Sequence, residues 1–325
     1  MHAGVWKSPL LGSYHWLTLP YRRWALSRLC RQGRAPVVVL FYHRVADIDP
    51  VPWSIGNRQF ARQIEWLQQR FDMVSLEEAQ RRLRDGSTRP AAHITFDDGY
   101  AENCDFAIPL LLDRQIPCTY FVSLEHVSHQ IPFAHDVKLG KRFPINTIME
   151  LRRMADAGIE IGAHTRTHPD LGSLNSREAL YDEIARSGTE LQQLLGRDVR
   201  YFAFPFGLKS NIPREGYRIA REFGYRAVMS AYGGYNFPGD DPFHIQRVHG
   251  DPEMPRFKNA IHLDPRKMRI PRLEREWSSD GMQEDELAAD GSSEQTRDPM
   301  PQVTTPAVGN CDTIASCLEA ATTEP

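Results

Sequence analysis

Two short segments of this chain place side chains that bind metal ions or move protons directly after apolar runs. The first is Thr95-Phe96-Asp97-Asp98-Gly99, in which two adjacent carboxylates follow an apolar run. Adjacent carboxylates repel each other unless a cation or a proton lies between them, so one can bind a metal while the other stays free as a base. The alternative is a solvated turn, because Asp-Gly is a common turn dipeptide.

The second segment is His164-Thr165-Arg166-Thr167-His168, directly after the apolar run from Ile159 to Ala163. Two histidines four residues apart can converge on one cation within a single turn of backbone. An isolated pair of this kind is more often two surface or core histidines. Here the histidines and the aspartates both follow a predicted strand end, and this coincidence favours metal ligands.

A third segment, Phe202-Ala203-Phe204-Pro205-Phe206-Gly207, is aromatic and rigid. Such a loop at a strand end can form a wall against a sugar ring, and Gly207 allows close approach of the backbone. The alternative is a buried hydrophobic strand that ends in a turn. Composition alone does not decide between the two.

From residue 36 onward the sequence alternates short β-rich runs with helical stretches. Val37–Tyr42 is a continuous apolar run, typical of a strand buried on both faces. Further strands are predicted at 73–75, 92–96, 118–122, 159–163, 201–204 and 225–229, and helices at 60–71, from 76, and at 108–115, 145–157, 176–195 and 213–223. Repeated βα units predict parallel strands with helices outside them, and polar residues at strand ends are typical of the catalytic face of a barrel.

These patterns divide the chain into a leading segment (1–35), one domain (36–273) and a tail (274–325). The tail holds twelve acidic and two basic residues, a net charge of −10, so the rest of the chain carries +7 of the total of −3. Ser, Thr, Pro, Gly and acidic residues dominate the tail, a composition that cannot bury enough surface to order itself. We therefore predict a disordered acidic tail.

Composition also limits location and partners. Residues 14–30 are predicted to form a helix, either packed against the body, which is the favoured interpretation, or amphipathic and in peripheral contact with a membrane. No apolar stretch has the length of a signal peptide or a membrane span, which slightly favours the cytoplasm. The body lacks a compact basic cluster interleaved with aromatics, so nucleic-acid binding is not predicted. Five scattered cysteines without a CxxC pair indicate reduced, structural thiols, and the oligomeric state is left open.

In order and spacing, Thr95–Gly99, His164–His168 and Phe204–Gly207 resemble the motifs of the polysaccharide deacetylases. This carbohydrate-esterase family includes chitin and peptidoglycan deacetylases, and the resemblance covers residues 36–250. Tyr42-His43-Arg44 is similar to the branch that acts on exopolysaccharide amino sugars. The resemblance implies a single-domain α/β fold, a deformed (β/α)7-type barrel, and a hydrolase that removes N-acetyl groups from an amino-sugar glycan.

The resemblance also implies a metal site and a base. One divalent ion, zinc in preference to nickel, cobalt or manganese, is expected on Asp98, His164 and His168. The metal would polarise the acetyl carbonyl and lower the pKa of a water molecule. Asp97 is the expected general base that takes the proton of this water.

Further site residues are expected around this centre. The backbone N–H of Phe206 matches the family's second oxyanion donor, and Pro205 and Tyr100 are expected at the substrate. His249, in Arg247-Val248-His249, is the candidate general acid, although a surface histidine after a strand is an equally good interpretation. Other candidates for the acid are His43, His135 and His244.

Two departures from the family pattern stand out. Ala203 occupies the place where many members have an arginine that positions the catalytic aspartate, so Asp97 must be oriented in another way. The Asp-x-x-x-Trp segment that usually tunes the acid is not found. The alternatives are a hydrolase of the same fold acting on a small amide or cyclic imide, and a carbohydrate-binding homologue with impaired catalysis. The intact Asp97-Asp98 pair and the complete ligand set favour acetyl removal.

Overall fold

The computed structural model describes residues 7–268, 270, 272 and 273. The chain divides into two units, one up to Ile270 and one from Pro271, and only two residues of the second unit are described. The predicted acidic tail, 274–325, lies outside the described residues. Cys30, Cys104 and Cys118, the cysteines within the described part, form no disulfide with one another.

Within the described residues, seven parallel strands close into a barrel. The described strands are β1 (Val37–Tyr42), β2 (Arg44–Val45), β3 (Ser54–Ile55), β4 (Asp72–Met73), β5 (Ala91–Phe96), β6 (Cys118–Val122), β7 (Glu160–Ala163), β8 (Tyr201–Ala203), β9 (Ala227–Ser230) and β10 (His244–His249). Three of these ten are not part of the ring: β4 pairs with the start of β5, and β2 and β3 pair with each other. The ring runs β1-β10-β9-β8-β7-β6-β5 and closes because β5 pairs again with β1, Val39 facing His93 in the register. The predicted (β/α)7-type barrel is confirmed.

Helices surround the barrel and connect its strands. They are α1 (Lys7–Arg31), α2 (Asn57–Gln68), α3 (Leu76–Asp85), α4 (Ala107–Asp113), α5 (Leu124–His129), α6 (Ala134–Lys138), α7 (Ile148–Asp156), α8 (Arg177–Tyr181), α9 (Ser187–Leu195), α10 (Arg214–Phe223) and α11 (Met254–Ile261). Local signals explain several of their starts. The Ser75 hydroxyl accepts from the N–H of Glu78 at the start of α3, and Thr147 and Glu150 form a capping box at the start of α7.

Helix α3 closes the amino-terminal end of the barrel. Its Gln80 side chain donates to the carbonyls of Arg226 and Pro242, which lie just before β9 and at the approach to β10. Leu76 and Leu83 of the same helix pack into the apolar cluster formed by the barrel strands. Because this end is covered, the open end of the barrel is the one where the carboxyl ends of the strands meet.

The structure differs from the predicted elements at several points, and two of these differences concern the candidate site. The long helix predicted over 176–195 is α8 and α9 joined by a π-helical turn, Asp182–Arg186. Strand β10 was not predicted, because four of its six residues are polar and its sequence lacks the pattern of a buried strand. Both differences lie close to the candidate site.

Candidate active site

The conspicuous polar segments of the sequence meet at the open end of the barrel. Asp97 and Asp98 follow β5, and His164 and His168 follow β7. Together they help to line a cavity of about 270 Å³. The whole lining consists of Phe41, His43, Trp53, Asp97, Asp98, His135, His164, His168, Phe204, Phe206, Ala231 and Arg247.

Asp98, His164 and His168 form a cluster with the geometry of a metal site. One ligand atom from each residue lies within 4.8 Å of the others. Oδ1 of Asp98 is 3.6 Å from Nε2 of His164 and 3.3 Å from Nε2 of His168. Two imidazoles and one carboxylate are a ligand set that binds zinc and other divalent metals.

The hydrogen bonds around the cluster fit a metal ion. Nδ1–H of His164 donates to the carbonyl of Ala203 at 2.7 Å, which leaves the lone pair of Nε2 facing Asp98. Burial lowers the pKa of His164 to about 4, so the ring is neutral, as a ligand must be. Oδ1 of Asp98 is buried and has no hydrogen-bond partner among the described residues. A cation would satisfy this orphaned oxygen.

The charge state of Asp98 also suits a metal ligand. Burial by itself would raise the pKa of this carboxyl, but its contact with His168, together with the nearby His43 and His164, lowers it well below the usual range. Asp98 is therefore ionised over the whole physiological range of pH.

Unusual backbone conformations aim these side chains at one point. Asp98, Thr165, His168 and Phe206 all have positive φ, at 76°, 68°, 59° and 60°. Residues other than glycine rarely adopt a positive φ, and such backbone strain is typical of functional sites.

Asp97 follows β5 and pairs with an arginine of β10, and these two strands flank β1 in the ring. Nη1 and Nη2 of Arg247 donate to the two carboxylate oxygens of Asp97 at 2.6 and 2.9 Å, and both side chains are buried. Burial would raise the pKa of Asp97, but the charge and hydrogen bonds of Arg247 hold it below its usual value. Arg247 thus supplies the orientation that Ala203 cannot give, a role that the sequence analysis missed. The available signal was an arginine directly before Val248 in a stretch that could form a strand, because a buried guanidinium needs a carboxylate partner.

The loop that carries both histidines is anchored by Glu183 of the π-helical turn. Its carboxylate accepts from the N–H groups of Arg166 and Thr167 at 2.8 and 2.9 Å, and from the Thr167 hydroxyl at 2.6 Å. A π-turn changes the direction of the residues within it, and such turns are frequent at functional sites. Helical periodicity alone gave no sign of this contact.

Phe206 forms one rim of the cavity. Its side chain is 57% exposed and lies edge-on to His168, with ring centroids 5.3 Å apart. Its backbone N–H makes no backbone hydrogen bond within the described residues. Gly207 permits this loop to approach β9, because an added Cβ would lie 2.7 Å from the N of Ala231. Pro205 lies in the same turn and does not line the cavity.

Trp53 and His135 form a second part of the cavity rim. Their rings meet edge to face at 4.7 Å. Tyr100 lies behind this wall, where its hydroxyl donates to Asp136 at 2.9 Å and contacts Nε2 of His135 at 2.9 Å. Burial is the main cause that raises the pKa of Asp136 to about 6. Tyr100, expected at the substrate, therefore supports a wall residue and does not itself line the cavity.

The candidate acids occupy different positions. His43 and His135 line the cavity. His249 lies beside it, with its ring centroid 6.4 Å from that of His43 and 5.1 Å from that of Phe41. His244, at the start of β10, bonds to Ser230 of the neighbouring strand β9 and does not line the cavity.

Fold and site together define a class: a (β/α)7-type barrel protein with a candidate site for one divalent metal ion at the carboxyl ends of its strands. Comparisons with known proteins agree with this class. Residues 84–228 match the family model described as polysaccharide deacetylase. The solved structure of IcaB from Ammonifex degensii has a TM-score of 0.58 and 27% identity, and the match covers 70% of this chain and 97% of that one.

Curated relatives carry names of the same kind. YxkH of Bacillus subtilis (strain 168), named as a polysaccharide deacetylase, is 22% identical over 68% of this chain and 73% of YxkH. A chitooligosaccharide deacetylase of Bradyrhizobium sp. (strain ANU 289) is 25% identical over 42% of this chain and 55% of that enzyme. The family model and these curated relatives all carry the description of a deacetylase, and the predicted enzyme class, an N-deacetylating hydrolase, is confirmed.

Proposed function

We propose that this protein hydrolyses N-acetyl groups of an amino-sugar polysaccharide or oligosaccharide at a single divalent-metal site. The observation that carries the proposal is the buried set of Asp98, His164 and His168 beside a second, separately held carboxylate, Asp97. The names of the relatives support an acetylated glycan as substrate. We propose zinc as the ion, because two imidazoles and one carboxylate suit it, with nickel, cobalt and manganese as alternatives.

A divalent ion bound by these three residues would polarise the acetyl carbonyl and lower the pKa of a water molecule. We assign the removal of the water's proton to Asp97. Arg247 keeps this carboxylate ionised and fixes both of its oxygens, so that it is ready to accept a proton without reorientation. General-base catalysis needs such a positioned group within hydrogen-bond reach of the water.

The two rims of the cavity are assigned to the substrate. The N–H of Phe206 is the proposed donor to the oxyanion that develops on the acetyl group. Its exposed ring and Trp53 both line the cavity, where a sugar ring would pack against aromatic surface.

The proton for the leaving amine is assigned to the histidines next to Phe41. His249 is the acid predicted from the sequence, and His43 is the neighbour that lines the cavity. Gln variants of each distinguish them. Loss of the acid should remove the basic limb of the pH dependence of kcat/KM, whereas the other variant should retain that limb.

Metal content and activity test the proposal together. Purified protein should contain about one divalent ion per chain, and the His164→Ala, His168→Ala double variant should lose both the ion and the release of acetate. The assay compares acetylated chitin oligomers, acetylated exopolysaccharide fragments, a small amide and a cyclic imide, with and without chelator. Full metal content in the double variant would overturn the ligand assignment. Turnover of only the small amide or imide would overturn the proposed substrate class.

A further inference from the structure

Helix α1 exposes aromatic and apolar side chains where a surface helix normally presents polar ones. The exposed fractions of Trp16, Leu17, Tyr21 and Trp24 are 73%, 82%, 49% and 53%. At 3.6 residues per turn these four positions lie within an arc of about 140° on one side of the helix. We call this side the outer face of α1. Contiguous apolar surface of this kind marks an interaction site.

The side of α1 that packs on the barrel is held by polar contacts instead. Arg22 is fully buried and donates to the carbonyls of Asn259 and His262 at 3.1 and 2.9 Å, and to Oδ1 of Asn259 at 2.9 Å. The Tyr14 hydroxyl donates to Asp264 at 3.1 Å. These bonds to α11 and to the loop after it fix the rotation of α1, so its aromatic residues face outward.

The outer face is basic as well as aromatic. Helix α1 contains no Asp or Glu, and Arg23, Arg28 and Arg31 are exposed along it. The guanidinium of Arg28 lies over the ring of Trp24 at 5.6 Å. Trp, Tyr and Arg on one face are the composition of helices that lie in the headgroup region of a bilayer.

A groove of about 240 Å³ lies beside the outer face, between α1, α2 and α11. Trp16, Arg23, Trp66, Arg70 and Lys258 are among its lining residues, and no acidic side chain is. The cations around the groove contribute to a lowered pKa of its histidines. The pKa of His262 is lowered to about 4, chiefly by burial and then by His15, Arg22, Arg23 and Arg70.

We propose that the outer face of α1 and this groove form a docking surface for an anionic lipid bilayer, with a lipid phosphate in the groove. The aromatic side chains would lie at the level of the headgroups, and the arginines would pair with phosphate oxygens. No helix among the described residues is long and apolar enough to cross a membrane, so the attachment is peripheral. A second copy is a poor occupant, because it would place arginine against arginine across the interface.

Vesicle flotation of the full-length protein tests the surface. Vesicles of phosphatidylcholine with one quarter phosphatidylglycerol should carry the protein upward, whereas pure phosphatidylcholine should carry at least about tenfold less. Binding to the anionic vesicles should fall as salt rises from about 0.05 to 0.5 M, because salt screens the contact.

Two double variants divide the aromatic and basic contributions. Trp16→Ser, Trp24→Ser and Arg23→Glu, Arg28→Glu should each lower binding to anionic vesicles at least about tenfold. The matched controls, on the far side of the barrel, are Met149→Ser, Tyr181→Ser and Arg197→Glu, Arg218→Glu, which should bind as the natural chain does. All four should keep their metal content and their turnover of a small soluble substrate, so loss of vesicle binding is separable from any failure of the proposed chemistry.

Three results would overturn the proposal. Equal binding to both kinds of vesicle, or equal losses in the control variants, would exclude this face as a specific lipid site. A dimer in lipid-free solution that the Trp16, Trp24 variant dissolves would identify a second copy as the occupant. Vesicle binding that appears only after deletion of residues 280–325 would identify the acidic tail as the occupant.

Discussion

At the scale of single residues, adjacent carboxylates acquire different properties from different neighbours. Asp97 faces a guanidinium that holds both of its oxygens, and Asp98 faces two imidazole nitrogens with an oxygen that no donor satisfies. Asp98 also has a positive φ of 76°. Environment, and not residue type, therefore divides the proposed base from the proposed ligand.

Substitutions within the pair should fail in different ways. Asp97→Asn leaves the three metal ligands in place, so metal should remain while turnover falls by about 10²–10⁴-fold, the usual cost of losing a general base. Asp98→Asn weakens the ligand set, so metal affinity should fall and excess zinc should restore part of the rate. The measurement is metal stoichiometry and turnover for each variant over a range of added zinc. If Asp97→Asn loses metal while Asp98→Asn keeps it, the two roles are reversed.

Arg247→Gln should change both the pH dependence and the stability of the protein. Without the guanidinium, burial dominates and the pKa of Asp97 rises, so the acid limb of the kcat/KM profile should move to higher pH. In the natural chain the pKa of Asp97 is lower than in the unfolded state. The pair therefore stabilises the fold above the ordinary pKa of about 3.9, and this stability is lost as pH falls through the folded value.

At pH 7 the same variant should lose about 3–5 kcal/mol of unfolding free energy, because it leaves a buried charge without its partner. Urea unfolding at pH 7, together with the pH profile, measures both effects. Arg218→Gln is the control, since it removes an exposed ion pair with Glu215 that contributes about 1 kcal/mol or less. An unchanged acid limb in Arg247→Gln would show that Arg247 does not set the pKa of the group that limits the rate.

At the scale of elements, two departures from regular periodicity serve the site. Strand β10 carries Arg247 inward to Asp97, which an all-apolar strand could not do. The π-turn between α8 and α9 directs Glu183 toward the loop between the two histidines. In both cases the regular pattern of an element is interrupted at a position where a buried polar group needs a partner.

Glu183→Gln should weaken metal binding without removing a ligand. Its carboxylate accepts three hydrogen bonds from the histidine loop, and a neutral amide has only one acceptor oxygen. Loss of such a supporting contact typically costs 10–100-fold in metal affinity. Competition with a chromophoric chelator measures it. Glu178→Gln on α8 makes the same chemical change at an exposed ion pair with Arg186, and it should leave affinity unchanged. Equal affinities in both variants would show that the loop holds its shape without Glu183.

At the scale of the whole molecule, one end of the barrel is covered by a helix and the other end holds the proposed active site. Helix α3 covers the amino-terminal end through Gln80 and its apolar side chains. The carboxyl ends of the strands form the rim where loops from distant parts of the sequence meet around an open cavity. Residues 1–273 carry a net charge of +7, whereas residues 274–325 carry −10.

Deletion of residues 280–325 should leave the melting temperature and the turnover nearly unchanged. The composition of this segment supplies few large apolar residues, so it contributes little to a packed core. Calorimetry and acetate release from the truncated chain, each beside the full chain, test the expectation. A fall of many degrees in the melting temperature would show instead that the segment packs against the basic body.

The sequence by itself determined the strand pattern, the barrel class and the polar segments of the site. Val37–Tyr42 and the later apolar runs predict buried strands from local composition alone. Asp97, Asp98, His164 and His168 follow such runs directly, and the carboxyl ends of parallel strands meet at one rim. Local information was sufficient here, because each signal lies within a few residues of the feature that it predicts.

Tertiary structure decided which partners these residues have. Arg247 and Asp97 are 150 residues apart in the chain, and no local pattern joins them. Tertiary structure also decided three further features. These are the anchoring of the histidine loop by Glu183, the place of His249 beside the cavity, and the outward face of α1. Periodicity indicates that a side chain is buried or exposed, but only the closed ring of strands determines what lies against it, and that contact sets its charge, orientation and role.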